Sequence, residues 1–453
     1  MIFFAVSYAI LGIGALVVSL FVGPHYRTLG LANLRNIFIL GFCYFQFYGI
    51  IYPLWYDDFG DYFVADAPRA AGRFVAYSFL YLVCFFLAYN WFFSRPPKKI
   101  KPPTFQADLP PVPLLIVAVT VGLAAYFARF SGYVPIFGPL LNHIFTASAA
   151  MSGCLAMYVI ARNFVNPVLS LPAIGIILLS MFNTILADFG RRGLVGILGA
   201  AMWGLYFVRP QTFSSRKVWL VLVPAALIAM TIIGSFSQVR TERDTAGQGG
   251  LRVNGIIKGL GWQALKSNFA VPDTGIASLW LIDSRFEYYE YQHMAGLKYF
   301  FLHFVPRSVM PDKDEPLSRR IPVEADKRGV ALGIHTVGPG IVGHSAADGG
   351  FYAAVVYGVL MGLGIGWMDR MLLRNRHSCL AVAAIGSTLG QVVGLSRGDS
   401  AIFMGIILIG VIGNLIIMYV VDVFLRASHP SPVLYAPPPG QPLAQPYPSL
   451  RNF

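Results

Sequence analysis

Apolar residues arrive along the chain in blocks of about 20, separated by short polar links. A helix of that length spans a hydrocarbon core of roughly 30 Å. Eleven blocks stand out, at residues 2–22, 36–55, 74–93, 112–130, 139–160, 168–187, 193–208, 217–235, 349–369, 378–395 and 401–425. The strict alternation expected of a membrane β-barrel is missing. The pattern predicts an all-α, polytopic membrane protein of about eleven transmembrane helices. The first block lacks a basic segment before it and is too long for a signal-peptide core, so it reads as a retained span.

Composition sharpens this picture. The chain has 453 residues, 56% hydrophobic and only 12% charged, with a mean hydropathy of +0.62. Soluble domains carry about 25% charged residues, so an ordinary soluble enzyme and a disordered chain are excluded. Cys43, Cys84, Cys154 and Cys379 all fall inside apolar blocks. They form neither a disulfide framework nor a metal-ligand spacing.

The net charge of +13 invites a nucleic-acid reading, but its distribution favours membrane topology. The short links after blocks one, three, five, seven, nine and eleven hold 14 Lys and Arg residues, and the opposite links hold 6. Basic residues collect on the cytoplasmic side. The N-terminus is therefore expected outside, and the C-terminus in the cytoplasm. The expected units are helices one to eight (1–235), a large periplasmic loop (236–348), helices nine to eleven (349–425) and a Pro-rich cytoplasmic tail (426–453). The loop holds 13 of the 34 basic residues, 12 of the 21 acidic ones and four of the eight histidines. Its apolar pieces at 276–282 and 297–305 are too short to span and predict interfacial or re-entrant helices.

Candidate chemistry gathers at the predicted outer surface. Arg191 and Arg192 occupy one tight link and Arg397 another, against the charge bias. Charged residues at membrane depth are costly and generally functional. The planar guanidinium fork suits phosphate. Arg240 and Arg243 open the large loop, and Arg307, Lys313, Arg319 and Arg320 lie further along it. These arginines suit pyrophosphate binding. Glu287, Tyr288, Glu290 and Tyr291 interleave carboxylates with aromatic rings, a combination suited to sugar hydroxyls. Residues 333–350 carry six glycines with His335, His344 and Asp348. That implies a bent backbone able to approach a ligand, and histidines poised as proton acceptors. Gly362, Gly364 and Gly366 have no strand before them and predict close helix packing instead of nucleotide binding. No metal-binding, P-loop or other cofactor motif is present, so no metal and no cofactor is expected.

Order and content of these segments resemble the Wzy-type polymerases of lipid-linked oligosaccharide repeat units, a group related to the O-antigen ligases. The resemblance is carried by Phe189-Gly190-Arg191-Arg192, by Arg243-Asp244, and by Phe304-Val305-Pro306-Arg307 through Pro311-Asp312-Lys313. It continues in Gly338-Pro339-Gly340-Ile341-Val342-Gly343-His344 through Gly349, and in Arg397-Gly398-Asp399-Ser400. It covers about residues 180–405. At His344 many relatives carry Glu, and at Asp314 Pro is usual. The resemblance implies a helical, GT-C-like glycosyltransferase that builds O-antigen or exopolysaccharide without a metal. Its donor and acceptor would be oligosaccharides on undecaprenyl or another polyprenyl pyrophosphate. Membrane lipid, a chain-length regulator and a flippase would be partners, and nucleic acid would not. On this expectation His344 or His335 is the base, with Arg397 as a catalytic residue. Arg191, Arg192, Arg240, Arg243, Arg307 and Arg397 bind pyrophosphate. The alternatives are an O-antigen ligase-type enzyme, or a transporter or flippase of lipid-linked oligosaccharides.

Overall fold

The structure, a computed structural model, describes residues 2–21, 32–59, 64–94, 105, 109–128, 138–186, 190–210, 272–287, 293–303, 305, 309–327 and 336–428. The regular elements among the described residues are all helices, with no strand. The first span is α1 (Ile2–Phe21). The second runs from α2 (Leu34–Phe42) through a π-helical turn (Cys43–Tyr48) into α3 (Gly49–Tyr56). Then come α4 (Ala67–Ser94), α5 (Pro111–Ala128), α6 (Gly138–Arg162), α7 (Pro167–Leu186) and α8 (Gly190–Val208). The predicted large loop contributes α9 (Pro272–Glu287), α10 (Ala295–Leu302), α11 (Leu317–Lys327) and α12 (Gly340–Asp348). The chain closes with α13 (Phe351–Arg374), α14 (Cys379–Gly386), α15 (Leu389–Leu395) and α16 (Ser400–Ser428).

Among the described residues, eight helices are long and apolar enough to cross a membrane. Large apolar side chains such as Leu171, Val168 and Phe424 point outward, each at least 65% exposed. Such a perimeter suits lipid and not water. The protein is therefore a polytopic helical membrane protein. The count differs from the eleven blocks for three reasons. The apolar parts of the predicted seventh and tenth spans, Gly193–Val208 and Cys379–Leu395, are short. The predicted eighth span, at 217–235, lies outside the described residues.

The tenth block is broken at Ser387 and Thr388. A break exposes backbone groups that need polar partners inside a membrane. Ser387 supplies one by donating to the Ala384 carbonyl (2.6 Å), and it accepts from Asn414 Nδ2 (2.8 Å). Asn414 in turn accepts from Ser148 on α6 (2.8 Å). Three helices are tied together at the break.

The most extensive helix–helix contact among the described residues joins α4 and α13. A Cβ on Gly358 would lie 2.7 Å from the Tyr81 carbonyl, and one on Gly362 would run into the Phe85 carbonyl. These positions, with Gly366 four residues on, line the contact. Gly364 faces open space. The glycines serve packing, as expected, but the working stripe has a spacing of four residues. Tyr81, Phe85 and Tyr89 of α4 also form a row of rings beside Phe38 and Phe42 of α2.

Arg35 departs from its expected place in a cytoplasmic link. It sits in the first turn of α2 and is fully buried. Its guanidinium lies 5.1 Å from the Tyr89 ring. Asp369 of α13 accepts the N–H groups of Leu34 (2.7 Å) and Arg35 (3.2 Å) and the Tyr89 hydroxyl (2.9 Å). Helix starts leave N–H groups unpaired; this carboxylate satisfies two of them.

The described helices of the predicted loop pack into the bundle. Residues of α9 face α3, α4, the π turn and α12, while α10 lies on α16 and α12. Ile276, Trp280 and Leu281 of α9 bury against Leu317 and Ile321 of α11. Asp283 holds the start of α4 by accepting from the N–H groups of Ala65 (2.6 Å) and Asp66 (3.1 Å).

Candidate functional site

The turn at 396–399, between α15 and α16, is the point where distant segments meet. It is held largely through its backbone and through Asp399. The Ser396 carbonyl accepts from Gln46 Nε2 (2.5 Å), and the Arg397 carbonyl accepts from the Thr274 hydroxyl (3.3 Å). Asp399 caps α16 by accepting from the N–H groups of Ala401 (3.1 Å) and Ile402 (3.3 Å). Its second oxygen accepts from the Ser318 N–H (3.1 Å), which ties in α11. The Arg397 side chain is half-buried, with its guanidinium carbon 5.8 Å from the centre of the Phe45 ring.

His344 lies at the centre of this junction and is 1% exposed. Its Nδ1 accepts the Ser400 N–H (3.3 Å) and sits 3.8 Å from Asp399 Oδ1. A neutral imidazole that accepts at Nδ1 carries its proton on Nε2. His344 in this arrangement presents a donor at Nε2, and the nitrogen free to accept a proton is covered by a backbone amide. Asp348, one helical turn on in α12, accepts the Gly296 N–H (2.9 Å) and the Tyr357 hydroxyl. A Cβ on Gly296 would collide with both Asp348 Oδ2 and His344 Nε2, so the backbone of α10 closes over the pair. His344 Nε2, Asp348 Oδ1 and Ser400 Oγ are buried with no hydrogen-bond partner among the described residues.

The glycines at 333–350 were expected to bend the chain toward a ligand. The described ones approach the protein itself. Gly340 has a φ of +63° and faces Gln46 Nε2 and the Ser396 carbonyl, and Gly338 faces the Arg397 carbonyl. From Gly340 to Asp348 the chain is helical, and every residue of it is buried.

Arg397 and His344 are brought to one junction. The side chains of the other expected site residues lie outside the described residues. Arg191 and Arg192 fall in the first turn of α8, and Glu287 ends α9, but their side chains lie outside the described residues. Arg240, Arg243, Tyr288, Glu290, Tyr291, Arg307 and His335 also lie outside the described residues. Lys313, grouped with the surface cations by its sequence, turns inward. Its ammonium donates to the carbonyls of His303 (2.8 Å) and Val305 (3.1 Å) and lies 5.2 Å from the Tyr299 ring. Among the described residues no group of three His, Cys, Asp or Glu could hold a metal.

Sequence reasoning missed Gln46, which looks like any polar residue within a span, and His303, hidden in an apolar run. The His303 ring lies 5.5 Å from that of His143 and 5.7 Å from that of Tyr299. Burial pushes its pKa down to about 4, with His143 and Lys313 adding to the shift and Asp399 opposing it. An unfolded histidine titrates near 6.5. Between these values the unfolded chain binds a proton that the folded one refuses, so stability falls as pH drops from about 6.5 to about 4. The loss is at most about 3 kcal/mol. Thermal unfolding followed across that range should show a fall that His303→Gln reduces; an unchanged slope in the variant would assign the acid sensitivity elsewhere.

An apolar groove of about 260 Å³ opens between α2, α8 and α15, lined by Ile37, Val195, Gly199, Trp203, Leu389 and Val393 among others. Val393 lies four residues before Arg397. No protein-family model, no characterised protein and no solved structure matches the chain.

Proposed function

We propose that this protein is a metal-independent membrane glycosyltransferase. It polymerises polyprenyl-pyrophosphate-linked oligosaccharide repeat units at the periplasmic face of a bacterial inner membrane. The observation that carries the reading is the clamped turn at 396–399, which presents the Arg397 guanidinium from a rigid backbone. Fixed charge aimed at a developing anion needs little reorganisation when the reaction occurs. In this reading an acceptor sugar hydroxyl attacks the anomeric carbon of the donor. The bond from that carbon to the pyrophosphate oxygen breaks, and Arg397 stabilises the departing pyrophosphate. The apolar groove lined in part by Val393 suits the isoprenoid tail.

The hydroxyl proton passes to a base. With Nδ1 of His344 covered by the Ser400 amide, we assign His344 to holding the turn, and His335 remains the candidate base. Arg191, Arg192, Arg240, Arg243 and Arg307 are proposed as further pyrophosphate contacts. Glu287, Tyr288, Glu290 and Tyr291 are proposed to bind sugar.

Purified protein incubated with lipid-linked repeat units should produce a ladder of lengthened products. Transfer only to a core lipid would make it a ligase. Movement of the substrate across a vesicle bilayer without new glycosidic bonds would make it a transporter and end the enzymatic reading.

A further inference from the structure

Residues Cys43–Tyr48, in the middle of the second span, form a π-helical turn. Such a turn fits one extra residue into a helix at a cost in hydrogen-bond geometry, and it is found mostly where function retains it. Here the turn brings two side chains to the Arg397 segment from more than 340 positions away in sequence. Gln46 is fully buried in an apolar span, a costly place for an amide. Its Nε2 donates to the Ser396 carbonyl (2.5 Å). Its Oε1 and the Ser396 hydroxyl are both buried without a hydrogen-bond partner among the described residues. The neighbouring Phe45 sets its ring beneath the Arg397 guanidinium, at 5.8 Å. Gly340 packs against the same amide in a left-handed conformation that suits glycine, so α12 closes the third side.

We infer that the π turn is a positioning element for Arg397: Gln46 fixes the backbone before it, and the Phe45 ring fixes its guanidinium. The inference rests on the glycosyl-transfer reading, in which Arg397 must meet the leaving pyrophosphate. An arginine lying on a ring face keeps its donors at the edge of the plane, where a phosphate oxygen can reach them. Loss of the ring leaves the charge but frees its orientation.

The test uses the full chain in detergent with a lipid-linked repeat unit as donor, following kcat and KM separately. Phe45→Leu should lower kcat by about three- to thirtyfold, the range expected for a cation–π contact. KM should change little, because the lost interaction matters most in the transition state. Phe45→Trp, which keeps a π face, should restore turnover. Gln46→Leu should lower kcat in the same way. Combined with Arg397→Ala, Phe45→Leu should have no further effect, because its influence travels through the arginine. If Gln46→Leu fails to fold, the two Phe45 variants decide alone.

A wild-type protein that forms no glycosidic bond would end the glycosyl-transfer reading and this inference with it. An active wild type whose Arg397→Ala variant is impaired, but whose Phe45→Leu and Gln46→Leu variants turn over normally, would overturn the positioning role alone. So would a Phe45→Leu effect that persists at full size without Arg397.

Discussion

Replacing Arg397 with alanine should lower the rate of glycosyl transfer by about 10²–10³-fold, the usual effect of removing one preorganised donor to a developing anion. The protein should remain folded. The turn is held through the carbonyls of Ser396 and Arg397 and through the Asp399 carboxylate, contacts that survive the substitution. Arg397→Lys keeps the charge but replaces the planar fork with a single ammonium. It should fall between the wild type and the alanine variant. The measurement is polymer yield over time beside the thermal midpoint in detergent. An alanine variant that folds and polymerises at the wild-type rate would remove Arg397 from the site. Equal losses of stability and activity would make it a structural residue.

Hydropathy made the bundle legible because a lipid-facing helix needs only length and apolar content. The interruptions were not legible. A π turn at Cys43–Tyr48 and a break at Ser387 leave the local composition apolar. What stabilises the break is Ser148 on one helix and Asn414 on another. Arg35 illustrates the limit of counting charges. It stands beside a block boundary in the sequence, yet Asp369, more than 330 residues away, draws the start of its helix into the bundle. In the predicted loop the short apolar piece at 276–282 was legible, but the depth of its packing was not: the described helices turn Ile276, Trp280, Leu281 and all of 340–348 inward.

The candidate site was legible in part for the same reason. Arg397 stood out as a basic residue in a link expected to avoid them, and His344 as a titratable group in a glycine-rich run. Their relation did not stand out. The amide of Ser400 sets the His344 tautomer, Gly296 covers its other nitrogen, and Gln46 reaches Ser396 from the second span. Each of these depends on tertiary packing that no local pattern encodes. Asp399, two residues after Arg397, gives no sign in the sequence of its part in the turn. Its carboxylate collects three backbone N–H groups.

That role of Asp399 leads to the second large effect. It is 3% exposed, and Asp399→Ala would strip the cap from α16 and leave the N–H of Ser318 without its acceptor. Losing a cap costs about 0.5–2 kcal/mol, and each stranded buried donor adds about 1–3 kcal/mol. The variant should therefore lose roughly 1.5–5 kcal/mol of stability. Activity should fall with stability, because the turn that carries Arg397 loses its anchor to α11. Asp399→Asn keeps the shape and one acceptor oxygen, so it should retain a larger share of both. The contrast with Arg397→Ala is the informative result: one substitution should remove activity from a stable protein, the other should remove both together. Thermal unfolding in detergent, measured beside transfer activity for the two variants, makes the comparison. An Asp399→Ala protein as stable as the wild type would mean that the turn is not held by this carboxylate. The rigid presentation of Arg397 would then lose its structural basis.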